Sequence, residues 1–216
     1  MKNLYITIAF LLFSAIYASE LAVTDTGKVV ILNTDGTWKY ADKNSTNKID
    51  SNKTATKIET NKEIFSKPNK STFLLKSSVN KSAYWINTDK WSFKKSPKAE
   101  ETEYALKLKG RDLYAMTVTE EIEIKVEELA KVAVENAKEV AKDLKVVKKE
   151  YRVVNGKKVI FMQMQGSMRS IKFTYLGYYY SDKSGSTQLV AYTATALVPK
   201  YKKEIFNLLN GFTSRQ

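Results

Sequence analysis

The sequence predicts an α+β domain, mainly antiparallel β-sheet sandwiched by helices, preceded by a small N-terminal β-meander and a flexible linker. Three observations carry this. From Lys157 to Leu197 the chain is denser in aromatic and β-branched residues than anywhere else, and it is broken only at turn-forming residues. Asn155-Gly156, a pair that tolerates positive φ, joins that stretch to a preceding apolar run from Val146 to Val154. Two amphipathic stretches, Val126 to Leu144 and the segment opening at Pro199, have the three- and four-residue spacing of helices with one apolar face.

Met1 to Ser19 has the form of a secretory signal peptide. Lys2 supplies the positive end, Leu4 to Phe13 and onward to Tyr17 the apolar run, and Ala18 or Ser19 the cut. The run is shorter than the roughly 20 apolar residues a spanning helix needs. The expected location is therefore exported, periplasmic or secreted. Residues 20–41 read as a three-stranded meander, with Asp25-Thr26-Gly27 and Asn33-Thr34-Asp35-Gly36 as its turns and Trp38 and Tyr40 as its aromatics. Residues 42–70 are rich in Lys, Asn, Thr and Ser with isolated Ile and Phe. That composition buries too little apolar area to offset ordering entropy and reads as a disordered linker.

The main domain is expected over 71–216. Thr72–Leu75, Ala83–Ile86, Trp91–Phe93 and Tyr104–Leu108 read as strands, and Gly110-Arg111-Asp112 turns the last into a strand from Tyr114 to Thr119. In the helix Val126–Leu144, Glu127 and Glu128 lie in the first turn and Lys142 near the end, as the helix dipole favours, but no capping residue stands at its start. Ile160, Met162 and Met164 point one way from their strand, and Val159 and Phe161 the other. Gly166 to Arg169 and Asp182 to Ser186 read as the next two turns. Tyr178, Tyr179 and Tyr180 place aromatics on both faces of their strand, as a strand covered on both sides requires. Pro199 suits the first turn of the closing helix, and Gly211 reads as its left-handed cap, with Phe212 folding back.

Composition excludes several kinds of chemistry. The chain has no Cys and no His, which removes disulfides, disulfide-linked oligomers, the common zinc sites and His-dependent nucleophilic triads. No catalytic, metal or cofactor residue is assigned. The formal charge is +13, and its cations are almost all Lys, with Arg only at positions 111, 152, 169 and 215. Lys is a hydrated point charge, less suited than Arg to bidentate phosphate recognition, so nucleic acid is a disfavoured partner for an exported chain. The aromatic residues Tyr84, Trp85, Trp91, Tyr178 and Tyr180 are the candidate binding surface.

Three functions are weighed on this basis. The first is an exported non-enzymatic binding or accessory domain of the bacterial envelope. The second is a binder of anionic membrane or wall polymers, through the Lys-rich linker and basic surface. The third is a hydrolase using two of Glu100, Glu101, Glu103, Glu120, Glu121 and Glu123, which requires a pair facing each other at about 5 to 9 Å.

The order of elements in ELAKVAVENAKEVAKDLKVVKKEYRVVNGKKVIFMQMQG (128–166), IKFTYLGYYYSDKSGSTQLVAYTA (171–194) and the helix ending LLNGF (208–212) resembles the PsbP-like fold. That group includes the photosystem II extrinsic subunit PsbP, a Ran-binding Mog protein and exported bacterial proteins. The resemblance spans Ser71 to Phe212, with VNGKKV and YYYS as its most specific runs. It implies an antiparallel sheet sandwiched by helices, in a family made up mostly of adaptors and accessory subunits rather than enzymes. No ligand or partner motif of that family carries over to numbered positions here.

Overall fold

A computed structural model describes residues 20–23, 29–32, 37–40, 58–96 and 102–215. The expected signal peptide, most of the expected linker, and Glu100 and Glu101 lie outside the described residues. The chain divides into two compact units, Met1–Thr54 and Ala55–Gln216. In the first, β1 (Glu20–Val23), β2 (Val29–Leu32) and β3 (Trp38–Tyr40) form the expected antiparallel meander, with Val30 buried.

The second unit begins earlier than position 71. Glu59–Phe65, placed in the linker by its composition, is strand β4, which runs parallel to β10 (Lys145–Val154). Eight strands then make one sheet in the order β4-β10-β11-β12-β13-β9-β8-β7, antiparallel everywhere except at β4. Its members are β7 (Trp91–Lys95), β8 (Tyr104–Leu108), β9 (Tyr114–Glu120), β11 (Lys157–Met168), β12 (Ile171–Asp182) and β13 (Gly185–Ala194). A second, three-stranded sheet joins β5 (Phe73–Lys76), β6 (Ser82–Ile86) and β14 (Phe212–Ser214) in the order β14-β6-β5.

Alternation along the central strands builds two cores. Ile160, Met162, Met164, Tyr175 and Tyr179 face one side and pack with Leu129, Ala130 and Ala133 of helix α1 (Val126–Val140). Val159, Phe161, Leu176, Tyr178 and Tyr180 face the other and pack with α2 (Val198–Leu209) and the small sheet, through Ile205, Leu208, Tyr84 and Phe212. The tyrosine triplet divides between the two cores as a strand covered on both faces requires.

Three expected boundaries shift. Helix α1 stops at Val140, and Ala141 is extended (φ −139°, ψ 100°). Gly166 is no turn: β11 runs on to Met168, and the hairpin bends at Arg169 and Ser170, both at positive φ. Gly166 lies where a Cβ would sit 3.0 Å from the Ala141 Cβ, so this glycine marks a close approach of the chain after α1. Gly211 is not at positive φ and so does not form a left-handed cap; Phe212 enters β14 opposite Tyr84, in the core it shares with Ile205 and Leu208 of α2.

Candidate functional site

The aromatic residues expected to form a binding surface are mostly interior. Tyr84 is 0 % exposed, Trp91 2 %, Tyr178 1 % and Tyr180 9 %. All four belong to the core beneath α2 and the small sheet. Aromatic density located the parts of the chain that bury most area, and a second sheet and a helix claim that face. Trp85, on the other face of β6, is half-buried, and the Lys67 ammonium lies 4.9 Å from its ring centre.

A concave site does open beside this core. The turn Pro68–Ser71, the β6–β7 turn and one face of α2 enclose a cleft of about 280 Å³. Its walls have simple local causes. The Ser71 N–H donates to the Pro68 carbonyl at 2.9 Å, and the Lys90 and Trp91 N–H groups donate to the Asn87 carbonyl at 3.2 and 2.9 Å, closing both turns. On α2, Lys203, Glu204, Asn207 and Leu208 fall on one face by helical spacing. Ile86, Trp91 and Leu208 supply apolar lining. Lys70, Lys90 and Lys203 and the amides of Asn69, Asn87 and Asn207 supply the polar lining, and Lys90 is ion-paired with Glu204. Of the expected residues, only Trp91 lines this cleft. Its lysines are far apart in sequence and belong to no motif, and so carry no signal that separates them from the other lysines. Among the described residues, no group of three or more acids is placed to hold a metal ion.

No protein-family profile and no curated protein matches the chain. Solved structures do. The solution structure of cyanobacterial PsbP from Synechocystis sp. PCC 6803 aligns with a TM-score of 0.53 at 9% identity, covering 66% of this chain and 92% of that one. The chain has the PsbP-like fold. A crystal structure of a Pseudomonas aeruginosa protein of unknown function aligns at 12% identity with a TM-score of 0.41, over 67% of this chain and 97% of that one.

Within the PsbP-like domain, three polar networks away from the cleft tie its elements together. Arg152 and Glu150, both buried on β10, pair beneath α2. The Arg152 Nε donates to Glu150 Oε1 at 2.7 Å, and its Nη2 lies 2.7 Å from the same oxygen. The guanidinium sits 3.8 Å from the Phe161 ring centre and 4.7 Å from that of Phe65. Burial pushes the Glu150 carboxyl up, but hydrogen bonds from Asn61, Lys148 and Arg152 hold it below the ordinary carboxylate range. In the second network, Asn155 of the hairpin turn donates through Nδ2 to the Asn210 and Phe212 carbonyls at 2.8 and 2.7 Å, and its Oδ1 accepts the Lys67 N–H at 2.8 Å. The residue read as a turn former is therefore also a clamp on the junction between α2 and β14.

The third network centres on Glu103, one of the acids weighed for hydrolysis, which is fully buried. Its Oε1 accepts the Ser78 N–H at 2.6 Å and the Ser78 hydroxyl at 3.0 Å, and its Oε2 accepts the Thr119 hydroxyl. Both oxygens are occupied in holding strands together.

The domain's buried tyrosines give its alkaline behaviour a definite sign. Burial first, then the Asp182 carboxylate, pushes the Tyr180 phenol up to about 12; burial first, then Tyr175 and Tyr114, does the same for Tyr192. The Glu127 carboxylate, which accepts its hydrogen bond, raises Tyr151 to about 12. Burial drives Tyr84 and Tyr179 higher still. A phenol ionises near pH 10 when unfolded, so these groups contribute stability fully below about pH 10 and lose it as pH rises toward their folded values. Tyrosinate absorbance and loss of circular dichroism are expected to rise together in one step between about pH 10 and 12. Stepwise ionisation with the native spectrum intact beyond that range would contradict the burial assigned here.

Proposed function

We propose that the chain is an exported, non-catalytic accessory domain that binds an acidic partner of the bacterial envelope at the lysine-rimmed cleft. The observation that carries the reading is the composition of that cleft: three exposed lysines and three amides around Ile86, Trp91 and Leu208. Glu204 neutralises Lys90, whereas neither Lys70 nor Lys203 is in an ion pair among the described residues. Such a rim favours a carboxylate- or phosphate-bearing surface, chiefly through association rate and specificity. The Lys2 and Leu4–Phe13 pattern supports export. The fold itself names no partner. A solvated anion-binding stripe along α1 is not favoured, because Lys131, Lys138 and Lys142 pair with Glu128, Glu135 and Glu139.

The test compares the full chain with a Lys70→Glu/Lys203→Glu variant as immobilised bait in envelope extract. The full chain is expected to retain an acidic component at low salt and to release it above about 0.1 M salt, where the screening length falls to about 10 Å. The charge-reversed variant is expected to keep the native circular dichroism and lose that component. Retention of the same component by both chains would refute the cleft as the site.

A further inference from the structure

We propose that the end of the sheet where α1, β10 and the β11–β12 hairpin meet docks the protein on an anionic lipid bilayer. This goes beyond the cleft reading and uses none of its residues. Four large apolar side chains are exposed at that end: Val140 (44 %), Val146 (41 %), Val147 (54 %) and Ile171 (49 %). They come from three segments that the fold ties together. Val146 pairs with Met164 and Lys145 with Gln165, the Ser167 N–H donates to Asp143 Oδ1 at 2.8 Å, and Met168 pairs with Ile171 across the hairpin end. Gly166 lets the chain at Ala141 approach β11 closely.

Charge at the same end favours a negative surface. Lys142, Lys145, Lys148, Arg169 and Lys172 are exposed there, against the exposed carboxylates of Glu139 and Asp143. Lys142 is paired with Glu139 and Lys148 with the buried Glu150. Lys145 is near enough to Asp143 to lower its pKa, though less than the Ser167 hydrogen bonds do. Arg169 and Lys172, at the hairpin tip, are in no ion pair among the described residues. By register Val146 and Ile171 leave the sheet on the α1 face and Lys145, Lys148 and Lys172 on the other, so apolar and cationic side chains come together only at this end of the strands. An exposed apolar cluster marks an interaction site, and cations at the same end suit the acyl–headgroup boundary of an anionic leaflet. Among the described residues, β4 pairs with β10 only from Glu150 onward, and no described strand pairs with Lys145–Lys149 on that side. Lysines there also discourage pairing with another chain's strand, which favours a lipid surface over a second copy. No helix among the described residues is long and apolar enough to cross a membrane, so the contact is a peripheral one.

The absence of cysteine makes the test direct. Full-length protein is sedimented with phosphatidylcholine vesicles with and without phosphatidylglycerol. Single-cysteine chains Val147→Cys, Ile171→Cys and, as a control on α2, Lys202→Cys carry an environment-sensitive fluorophore. Binding is expected only with phosphatidylglycerol present, and Lys145→Ala/Lys172→Ala is expected to weaken it roughly 25-fold, at about fivefold per lysine removed. The labels at 147 and 171 are expected to report an apolar environment, while the label at 202 is expected to stay in water. Equal binding to neutral vesicles, unchanged binding of the double-alanine variant, labels at 147 and 171 that remain in water, or a dimer formed through this end in their place would each overturn the proposal. The Lys70→Glu/Lys203→Glu variant is expected to bind vesicles like the parent chain, which separates failure of this surface from failure of the cleft.

Discussion

Arg152→Ala is expected to lower the unfolding free energy by about 3 to 5 kcal/mol, the range for removing one partner of a buried ion pair. The cause is twofold. Glu150 stays buried and loses the cation that meets its Oε1 through two nitrogens, keeping only Asn61 and the exposed Lys148. The guanidinium also fills the space between the Phe65, Phe161 and Phe206 rings, at 4.7, 3.8 and 5.2 Å from their centres, and donates to the Tyr178 hydroxyl at 3.3 Å. That hydroxyl in turn donates to Asn210 Oδ1 at 2.7 Å, so the network spans β4, β10, β12 and the end of α2. Lysine does not replace it, because an ammonium lacks the planar fork that serves a carboxylate and an aromatic face together. Urea unfolding monitored by tryptophan fluorescence measures the loss as a lower midpoint at unchanged slope. Arg152→Met/Glu150→Gln, which removes both charges, is expected to recover most of it. A loss for Arg152→Ala below about 1 kcal/mol, the scale of an exposed pair, would show that water reaches the site.

Because Phe65 and Asn61 are both held by this pair, amide protection along β4 is expected to fall before that of β11 or β12 in the same variant. This strand was also the least legible in the sequence. In Glu59–Phe65 only Ile64 and Phe65 are apolar, and Ile64 faces solvent. Its partner on β10 lies some ninety residues ahead in the chain, as Glu59 opposite Glu150 shows. An edge strand with one free side needs little hydrophobic alternation, so its composition resembles that of the linker before it. The central strands were legible for the opposite reason: both faces are buried, their alternation is dense, and Asn155-Gly156 fixes the register of the first hairpin.

The site was less legible than the fold. Tyr84, Trp91, Tyr178 and Tyr180 were recognisable as large aromatics, but whether a strand's face meets water depends on which elements cover it, and β5 and β6 come from the opposite end of the domain to α2 and β14. Lys70, Lys90 and Lys203 reach one cleft only through tertiary folding. One compositional signal did exist. In a chain whose cations are overwhelmingly Lys, an Arg flanked by Tyr151 and Val153 on a strand is the side chain suited to a buried, aromatic-walled ion pair.

Gly211→Ala is expected to cost about 3 kcal/mol or more, at or beyond the upper end of ordinary overpacking. The reason is space, not backbone freedom. A Cβ at this position would lie 2.1 Å from the Trp85 carbonyl oxygen and 3.0 Å from the Leu208 carbonyl oxygen. Both obstacles are main chain, so no side chain can swing aside. The backbone here is also pinned from several directions. The Trp85 N–H donates to the Gly211 carbonyl at 2.8 Å, and the Gly211 N–H donates to the Leu208 carbonyl at 3.0 Å. Asn155 Nδ2 holds the carbonyls on either side, those of Asn210 and Phe212. Moving the chain far enough to admit a methyl group therefore breaks the approach of β14 to β6 and draws Phe212 out of the core it shares with Tyr84 and Tyr180. Gly110→Ala is the internal comparison. Gly110 has φ +67° with nothing within 4 Å of an added Cβ, so only left-handed strain remains, about 1 kcal/mol. The expected order of urea midpoints is parent, then Gly110→Ala, then Gly211→Ala, with amide protection at Trp85 lost only in the last. If Gly211→Ala were the milder of the two, the α2–β14 junction would have to relax as a unit, and the small sheet would be far less firmly attached than these contacts require.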